Sequence, residues 1–136
     1  MKTSPKLVIT MAGGLIVAAL ASAAATPQKR ARPARGEQIR LMASAYCDGG
    51  PTRSGVNARP GMVATDPRVL PIGSVISIKA PGSRHSGTYT VTDTGAAVKG
   101  HDVDIFMRSC AEAKAFGKRP VVAKIVKRGP DTAEAR

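Results

Sequence analysis

The sequence predicts a mainly β protein, a small closed barrel of six short strands with one short helix. The chain has 136 residues and is 43% hydrophobic but only 3% aromatic, so its core must consist mainly of Val, Ile, Leu, Ala and Met. Such a core suits a small β-rich body. Six short runs of β-branched or alternating residues are separated by turns that contain glycine or proline. Closing these strands into a barrel removes their exposed edges.

The six runs give the expected order of the elements. They are Leu41–Cys47, Met62–Thr65, Ser74–Ile78, Thr88–Thr92, Asp102–Met107 and Pro120–Val126. The helix is predicted to begin after Ser109, because Ser109 and Glu112 have the spacing of a capping box, and to end near Gly117. The barrel domain is therefore expected over residues 41–127, followed by a disordered tail over residues 128–136.

The first 25 residues are predicted to be a secretory signal peptide that is cleaved near Ala23 or Ala25. Lys2 and Lys6 precede an uncharged apolar run, and small residues follow that run. The alternative is an uncleaved membrane anchor, which is disfavoured because the run Leu7–Leu20 is short for a membrane span. The protein is therefore expected to be secreted or periplasmic.

Cys47 and Cys110 are the only two cysteines of the chain. In the oxidising compartment that a signal peptide implies, they are expected to form one disulfide. A zinc site is a poorer interpretation, since two distant cysteines without nearby histidines lack the spacing of zinc ligands. The sequence also shows no phosphate loop and no dinucleotide fingerprint. Neither a metal nor an organic cofactor is expected.

The formal net charge is +12, and many of the cations precede the first strand. Residues 26–40 are predicted to be a basic flexible linker, because they hold two prolines and little apolar content. Within residues 29–40 the charged side chains are Lys29, Arg30, Arg32, Arg35 and Arg40 against the single acid Glu37. An exported chain rarely meets nucleic acid, so the expected counter-charge is an anionic cell envelope. The alternative is a solvated arm with no specific partner.

The segment Asp93–Asp104 concentrates three carboxylates, a lysine and a histidine in twelve residues. Alternating apolar residues mark the core face of the strand that ends the segment, so Asp102 and Asp104 are predicted to point outward, beside Phe106. An acid beside an aromatic ring on a partly covered face is a candidate for a raised pKa. The alternative is an ordinary solvated acid.

Two more aspartates are candidates, Asp93 and Asp66. Alternation along the preceding strand puts Asp93 on the core face with Tyr89 and Val91, where it would need hydrogen-bond partners. Alternatively, Asp93 only holds its own turn. Asp66 precedes Pro67 and is therefore biased to an extended backbone. It either ends its strand or contributes to a site.

Several segments occur together in an order that is more specific than any one of them. They are Thr52-Arg53-Ser54-Gly55, Val63–Pro67, Leu70–Ser74, Asp93–Gly100, Asp102–Phe106 and Glu112–Gly117. Through them, residues 46–126 resemble the three-aspartate (3D) domain of bacterial peptidoglycan lytic transglycosylases. The resemblance implies a six-stranded double-psi β-barrel. It also implies that Asp66, Asp93 and Asp104 are the three family aspartates and lie together in a groove.

The resemblance further implies a secreted lytic transglycosylase that cleaves the MurNAc-GlcNAc β-1,4 bond of peptidoglycan and forms 1,6-anhydroMurNAc. Asp104 would be the single acid/base, supported by Asp93 and Asp66. The candidates for sugar contacts are Tyr46, Thr52 and Lys99. The alternative is a non-catalytic barrel that binds wall glycan, as in expansin-like proteins, and a third possibility is an exported inhibitor or envelope-interaction protein. A monomer is expected.

Overall fold

The computed structural model describes residues 13–14 and 32–131 of the chain. Apart from two glycines, the predicted signal peptide lies outside the described residues. So do residues 26–31 of the predicted linker and residues 132–136 of the predicted tail. Within the described part, no helix is both long and apolar enough to cross a membrane.

The described chain is mainly β and contains one short helix, as predicted. Its elements are β1 (Gln38–Tyr46), β2 (Met62–Thr65), β3 (Val75–Lys79), β4 (Gly87–Asp93), β5 (Asp102–Phe106), α1 (Cys110–Phe116) and β6 (Arg119–Lys127). The six strands form a closed barrel, which confirms the predicted fold class.

The strand order around the barrel is β1-β5-β2-β4-β3-β6, and β6 closes onto β1. The pairs β1–β5 and β2–β4 are parallel, and the other pairs are antiparallel. Exchanging β1 with β4, β2 with β5 and β3 with β6 reproduces the same neighbours and the same relative directions. This two-fold symmetry of the topology agrees with the double-psi barrel that the resemblance implies.

The barrel core is aliphatic, as the composition predicts. Its largest fully buried apolar side chains are Leu70, Ile76, Ile78, Ile105, Ile125, Val63, Val91, Val103 and Val121. Burying each such side chain stabilises the fold by about 1.5–3 kcal/mol. In β5, Val103 and Ile105 face this core and the intervening Asp104 does not, which is the alternation expected from the sequence.

The barrel begins earlier than predicted. Strand β6 is long enough to pair with residues 38–40, which precede the apolar run that begins at Leu41. Gln38 pairs with Lys124, so residues 38–40 belong to β1 and not to the predicted linker. Just before the strand, the amide of Gly36 donates to the carbonyl of Ile125 at 2.8 Å. Partner strands supply these contacts, and the local composition of the linker carries no signal for them.

Residues 128–131 were predicted to be part of a disordered tail, but they pack on the barrel. The Arg128 guanidinium donates to the carbonyl of Pro33 at 3.0 Å, and the Gly129 amide donates to Ser74 Oγ at 2.9 Å. Gly129 is buried, and a side chain at this position would collide with the neighbouring backbone. The prediction of disorder is wrong for these four residues because their contacts are long-range.

Helix α1 begins and ends at the predicted signals. Ser109 Oγ accepts the amide of Glu112 at 3.2 Å, and Gly117, with φ of 64°, follows the last helical residue. The Glu112 carboxylate binds Arg84 at 2.7 Å and His85 at 3.2 Å instead of returning to the cap. The capping box is therefore only half formed, and its acid ties the helix to the loop between β3 and β4.

The predicted disulfide between Cys47 and Cys110 is present. It connects the residue after β1 to the first residue of α1. The end of β1 is thereby fixed beside β5, which carries Asp104.

Candidate active site

Two carboxylates lie in one row across the outer face of four strands. Asp104 on β5 pairs with Ser44 on β1 and with Ala64 on β2, and Ala64 in turn pairs with Asp93 on β4. Directly paired residues share a face of a sheet, so Ser44, Asp104, Ala64 and Asp93 form a continuous row, called here the acid row. The strand spacing places the Cα atoms of Asp104 and Asp93 about 10 Å apart. The small, buried side chain of Ala64 lies between them.

Asp93 joins this row because β4 contains a bulge. Val63 pairs with Val91, but the next residue, Ala64, pairs with Asp93, so Thr92 is an extra residue on β4. An extra residue reverses the alternation of the residues that follow it. The prediction that Asp93 shares the core face with Val91 is therefore wrong, and Asp93 lies half-buried on the outer face.

Asp93 is held by backbone amides. Its Oδ1 accepts hydrogen bonds from the amides of Arg53 at 2.9 Å and Thr94 at 2.8 Å. The amide of Ser54 also donates to the carbonyl of Thr92 at 3.0 Å. These bonds attach the loop between β1 and β2 to the end of β4. The Asp93 carboxylate therefore has a fixed position in the acid row.

Asp104 is half-buried, and among the described residues its carboxylate accepts one side-chain hydrogen bond, from Ser44 Oγ at 3.2 Å. Burial raises the pKa of Asp104, and the Ser44 hydroxyl opposes that rise. A carboxyl group with a raised pKa stays protonated to higher pH and is suited to general-acid catalysis. The direction of the shift agrees with the expectation from the sequence.

Tyr46 lies near both acids. Burial, reinforced by the negative charges of Asp93 and Asp104, raises the pKa of Tyr46 to about 12, so its hydroxyl remains a hydrogen-bond donor. The ring packs edge-on against Phe106, with centroids 5.4 Å apart. The Tyr46 hydroxyl oxygen is buried and has no hydrogen-bond partner among the described residues. Buried polar groups are normally paired, so this donor is suited to a ligand oxygen.

Asp66 has a different environment from the other two aspartates. It is 1% exposed, and its carboxylate accepts the Arg68 guanidinium at 2.6 Å and the amide of Gly100 at 2.8 Å. The hydrogen bonds from Arg68 hold the pKa of Asp66 well below its usual range, against the effect of burial. The ionised carboxylate fixes the end of the loop that connects Asp93 to Asp104. Asp66 therefore supports the site through the backbone.

The other predicted sugar contacts, Thr52 and Lys99, differ in how accessible their side chains are to a ligand. The buried Thr52 hydroxyl donates to the carbonyl of Val56 at 2.7 Å and lies 2.9 Å from Ser54 Oγ. Thr52 thus shapes its own loop. Lys99 is exposed in the loop between β4 and β5 and remains available to a ligand.

The prediction from sequence did not include Ser44, Ala64 and Thr92. Ser44 and Ala64 matter because the strand register places them beside Asp104, and one sequence does not define that register. Thr92 matters because it is the extra residue of the bulge, which turns Asp93 to the outer face. Within the described part of the chain, no group of three or more His, Cys, Asp or Glu residues could hold a metal ion.

Comparison with known proteins identifies the domain. Residues 61–127 match the sequence model of the 3D domain family, the family that the resemblance indicates. The cell wall-binding protein YocH of Bacillus subtilis (strain 168) is 31% identical over 99 residues, which cover 66% of this chain and 33% of YocH. The chain therefore spans about a third of the length of that relative.

Solved structures share the fold. The E. coli lytic transglycosylase MltA-D308A in its apo-2 form superposes with a TM-score of 0.50 at 20% identity, covering 59% of this chain and 28% of that one. The Streptomyces papain inhibitor superposes with a TM-score of 0.55 at 15% identity, covering 68% of this chain and 97% of the inhibitor. An enzyme and an inhibitor thus share this barrel, so the fold alone does not decide the activity.

Proposed function

Because the chain carries a 3D domain, we propose that it is an extracytoplasmic lytic transglycosylase that acts on peptidoglycan. It cleaves the MurNAc-GlcNAc β-1,4 bond and leaves a 1,6-anhydroMurNAc end. The observation that carries this proposal is Asp104, a half-buried carboxyl group with a raised pKa on the outer face of the barrel. In this proposal the acid row forms the floor of the groove that holds the glycan.

The reaction needs one acid because its nucleophile belongs to the substrate. Asp104 donates its proton to the glycosidic oxygen as the bond to the anomeric carbon breaks. The resulting carboxylate then accepts the proton of the C6 hydroxyl, whose oxygen forms the new bond to the anomeric carbon. A hydrolase generally needs a second carboxyl group to activate water or to act as nucleophile, and here the C6 hydroxyl replaces it. The proton returns to Asp104, so the cycle is balanced.

The neighbours of Asp104 have supporting roles. The negative charge of Asp93, fixed by two backbone amides, favours the positive charge that develops on the sugar ring in the transition state. The Tyr46 hydroxyl donates to a sugar oxygen, and the packing of its ring against Phe106 holds it in place. Asp66 positions the loop between the two strands that carry the acids.

The second candidate function is binding of wall glycan without cleavage. One observation favours it: the relative YocH is a cell wall-binding protein. The same groove would hold the glycan, but the acids would then contact sugar hydroxyls without transferring a proton. The two functions differ in their products and therefore can be separated by experiment.

The test is digestion of purified peptidoglycan followed by mass spectrometry. We expect 1,6-anhydro-muropeptides from the wild type and none from Asp104→Asn, because the amide has no transferable acid proton. Asp102→Asn is the matched control, since this acid lies on the same strand and face two residues away, and it should retain the wild-type yield. The wild-type yield should fall as the pH rises through the raised pKa of Asp104.

Other outcomes would contradict the proposal in distinct ways. Products with ordinary reducing ends indicate a hydrolase. Glycan binding without any product indicates the wall-binding alternative. Equal yields from Asp104→Asn and the wild type exclude Asp104 as the acid.

A further inference from the structure

A cavity of about 440 Å³ lies between the end of β4 and the segment that precedes β2. Its lining includes Ser54, Val56, Arg59, Met62, Thr90 and Thr92. None of the six belongs to the acid row. The cavity therefore lies beside the reacting groups and does not include them.

The strand register defines the position of this cavity relative to the acids. Met62 pairs with Thr90, and the row they form precedes the row of Ala64 and Asp93 on the same outer face. Successive rows on one face are two residues apart, or about 7 Å. The cavity thus lies about one sugar unit from Asp93, on the side away from the loop that follows β4.

The cavity combines apolar surface with one cation. Val56 is 43% exposed, which is unusual for an aliphatic side chain in this domain. Arg59 is exposed, and its guanidinium makes no side-chain hydrogen bond or ion pair with any described residue. Other exposed arginines, such as Arg53 and Arg108, are likewise without a side-chain partner among the described residues, but only Arg59 lines this cavity. Arg59 therefore retains its full capacity for a carboxylate from outside.

Thr92 provides a second, independent indication of a ligand. This bulge residue is 7% exposed, and its buried hydroxyl has no hydrogen-bond partner among the described residues. A buried hydroxyl without a partner destabilises a fold. Thr92 also lines the cavity, so a ligand held there lies beside this unpaired hydroxyl. The bulge that turns Asp93 outward therefore also places the Thr92 hydroxyl on the residue next to Asp93.

We propose that this cavity binds a carboxylate-bearing substituent of the glycan, with Arg59 as the charge partner and Thr92 as a hydroxyl donor. The inference rests on the proposed action on peptidoglycan and defines its substrate class as strands with acidic peptide substituents, in preference to neutral N-acetylglucosamine polymers. The negative charge of Asp93 repels a carboxylate that approaches the groove. Arg59 offsets that repulsion at one side of the groove only, and so orients the strand.

The test compares binding to soluble peptidoglycan strands before and after their carboxyl groups are converted to amides. We expect the full-length wild-type protein to bind untreated strands about tenfold more tightly than amidated ones, because a guanidinium–carboxylate pair is charge-assisted and bidentate. Arg59→Gln should bind both preparations equally. Lys79→Gln, which removes an exposed cation at the far end of β3, should retain the tenfold preference.

Thr92→Val separates a binding role from a structural one. The change removes the hydroxyl and keeps the shape, so untreated strands should bind several-fold more weakly while the melting temperature stays equal or rises. A lower melting temperature with unchanged binding would show that the hydroxyl is structural. If Arg59→Gln keeps the preference of the wild type, or if Lys79→Gln loses it as well, the cavity is not the carboxylate site.

Product analysis distinguishes this inference from the proposed activity. A carboxylate preference that depends on Arg59, without anhydro products, supports the site and contradicts the transglycosylase. Anhydro products from a wild type that binds both preparations equally contradict the site alone.

Discussion

At the scale of single residues, two aspartates of this chain are driven in opposite directions by their surroundings. Burial raises the pKa of Asp104, which has one hydroxyl partner on its carboxylate. The guanidinium of Arg68 and the amide of Gly100 lower the pKa of Asp66, although Asp66 is more deeply buried. Hydrogen-bond donors thus decide which carboxylate keeps its proton. Of these two aspartates, Asp104 has the surroundings that the proposed acid needs, and the hydrogen bonds of Asp66 suit a structural role.

The stability of the protein should depend on the charge of Asp66. Because the folded-state pKa of Asp66 is below its usual value of 3.8, its contribution to stability is present above that value and is lost as the pH falls. We expect Asp66→Asn to lower the free energy of unfolding at neutral pH by about 1–2 kcal/mol, since the buried side chain loses charge-assisted hydrogen bonds while the exposed Arg68 guanidinium stays solvated. Urea unfolding at neutral pH and at about pH 3 measures the difference, which should shrink in acid.

The exposed acid Asp48 is the control for this experiment. Asp48→Asn should change the free energy of unfolding by less than about 0.5 kcal/mol, as is usual for surface substitutions. An Asp66→Asn variant as stable as Asp48→Asn would contradict the structural role.

Tyr46→Phe should separate stability from activity. Its buried hydroxyl has no partner among the described residues, so its removal should leave the free energy of unfolding unchanged or raise it by about 1 kcal/mol. The yield of anhydro-muropeptides should fall by about tenfold or more, because a donor to the substrate is lost. Thermal unfolding and product yield, measured on the same preparation, check both expectations.

Tyr89→Phe provides a matched control. The Tyr89 hydroxyl donates to the carbonyl of His85 at 2.7 Å, so its loss should destabilise the fold by about 1 kcal/mol without changing the yield. If Tyr46→Phe behaves like Tyr89→Phe, Tyr46 serves the fold and not the substrate.

At the scale of secondary-structure elements, the disulfide attaches α1 to the end of β1. Cys47 and Cys110 are 63 positions apart, and in the chain-entropy model a loop of this length is worth about 4 kcal/mol. We therefore expect a Cys47→Ser/Cys110→Ser variant to lose stability of this order in urea unfolding. A reducing agent should destabilise the wild type and leave the variant unaffected. Thiol labelling of the native protein should find neither cysteine free, and labelling of both would contradict the bond.

The bulge in β4 shows which part of an element a sequence cannot predict. The strand was predicted from its β-branched and aromatic residues, but the direction of Asp93 depends on the extra residue Thr92. That residue is extra only relative to β2, since Val63 and Ala64 pair with residues two positions apart on β4. The pairing is a property of two strands together. Alternation within β5 has no such interruption, and there the outward direction of Asp104 was predicted correctly.

At the scale of the whole molecule, the closed barrel and its aliphatic core were predictable from composition and from the spacing of the turns. The ends of the domain were not predictable from the sequence. Arg128 and Gly129 follow the last apolar run, and their partners Pro33 and Ser74 lie 95 and 55 positions away. The grouping of Ser44, Asp104, Ala64 and Asp93 likewise depends on two parallel pairs and one antiparallel pair that join distant segments. Local patterns thus identify elements, and long-range pairing assembles the site.

The pairing of the first strand with the last has a consequence for folding. β6 lies between β1 and β3 and closes the barrel. A chain emerging during synthesis therefore lacks a pairing partner along one side of β1 until nearly all of the domain has been made. Long-range pairing of this kind is slow. The barrel consequently cannot close before β6 has been made, and until then the outer edges of β1 and β3 stay open to other partners.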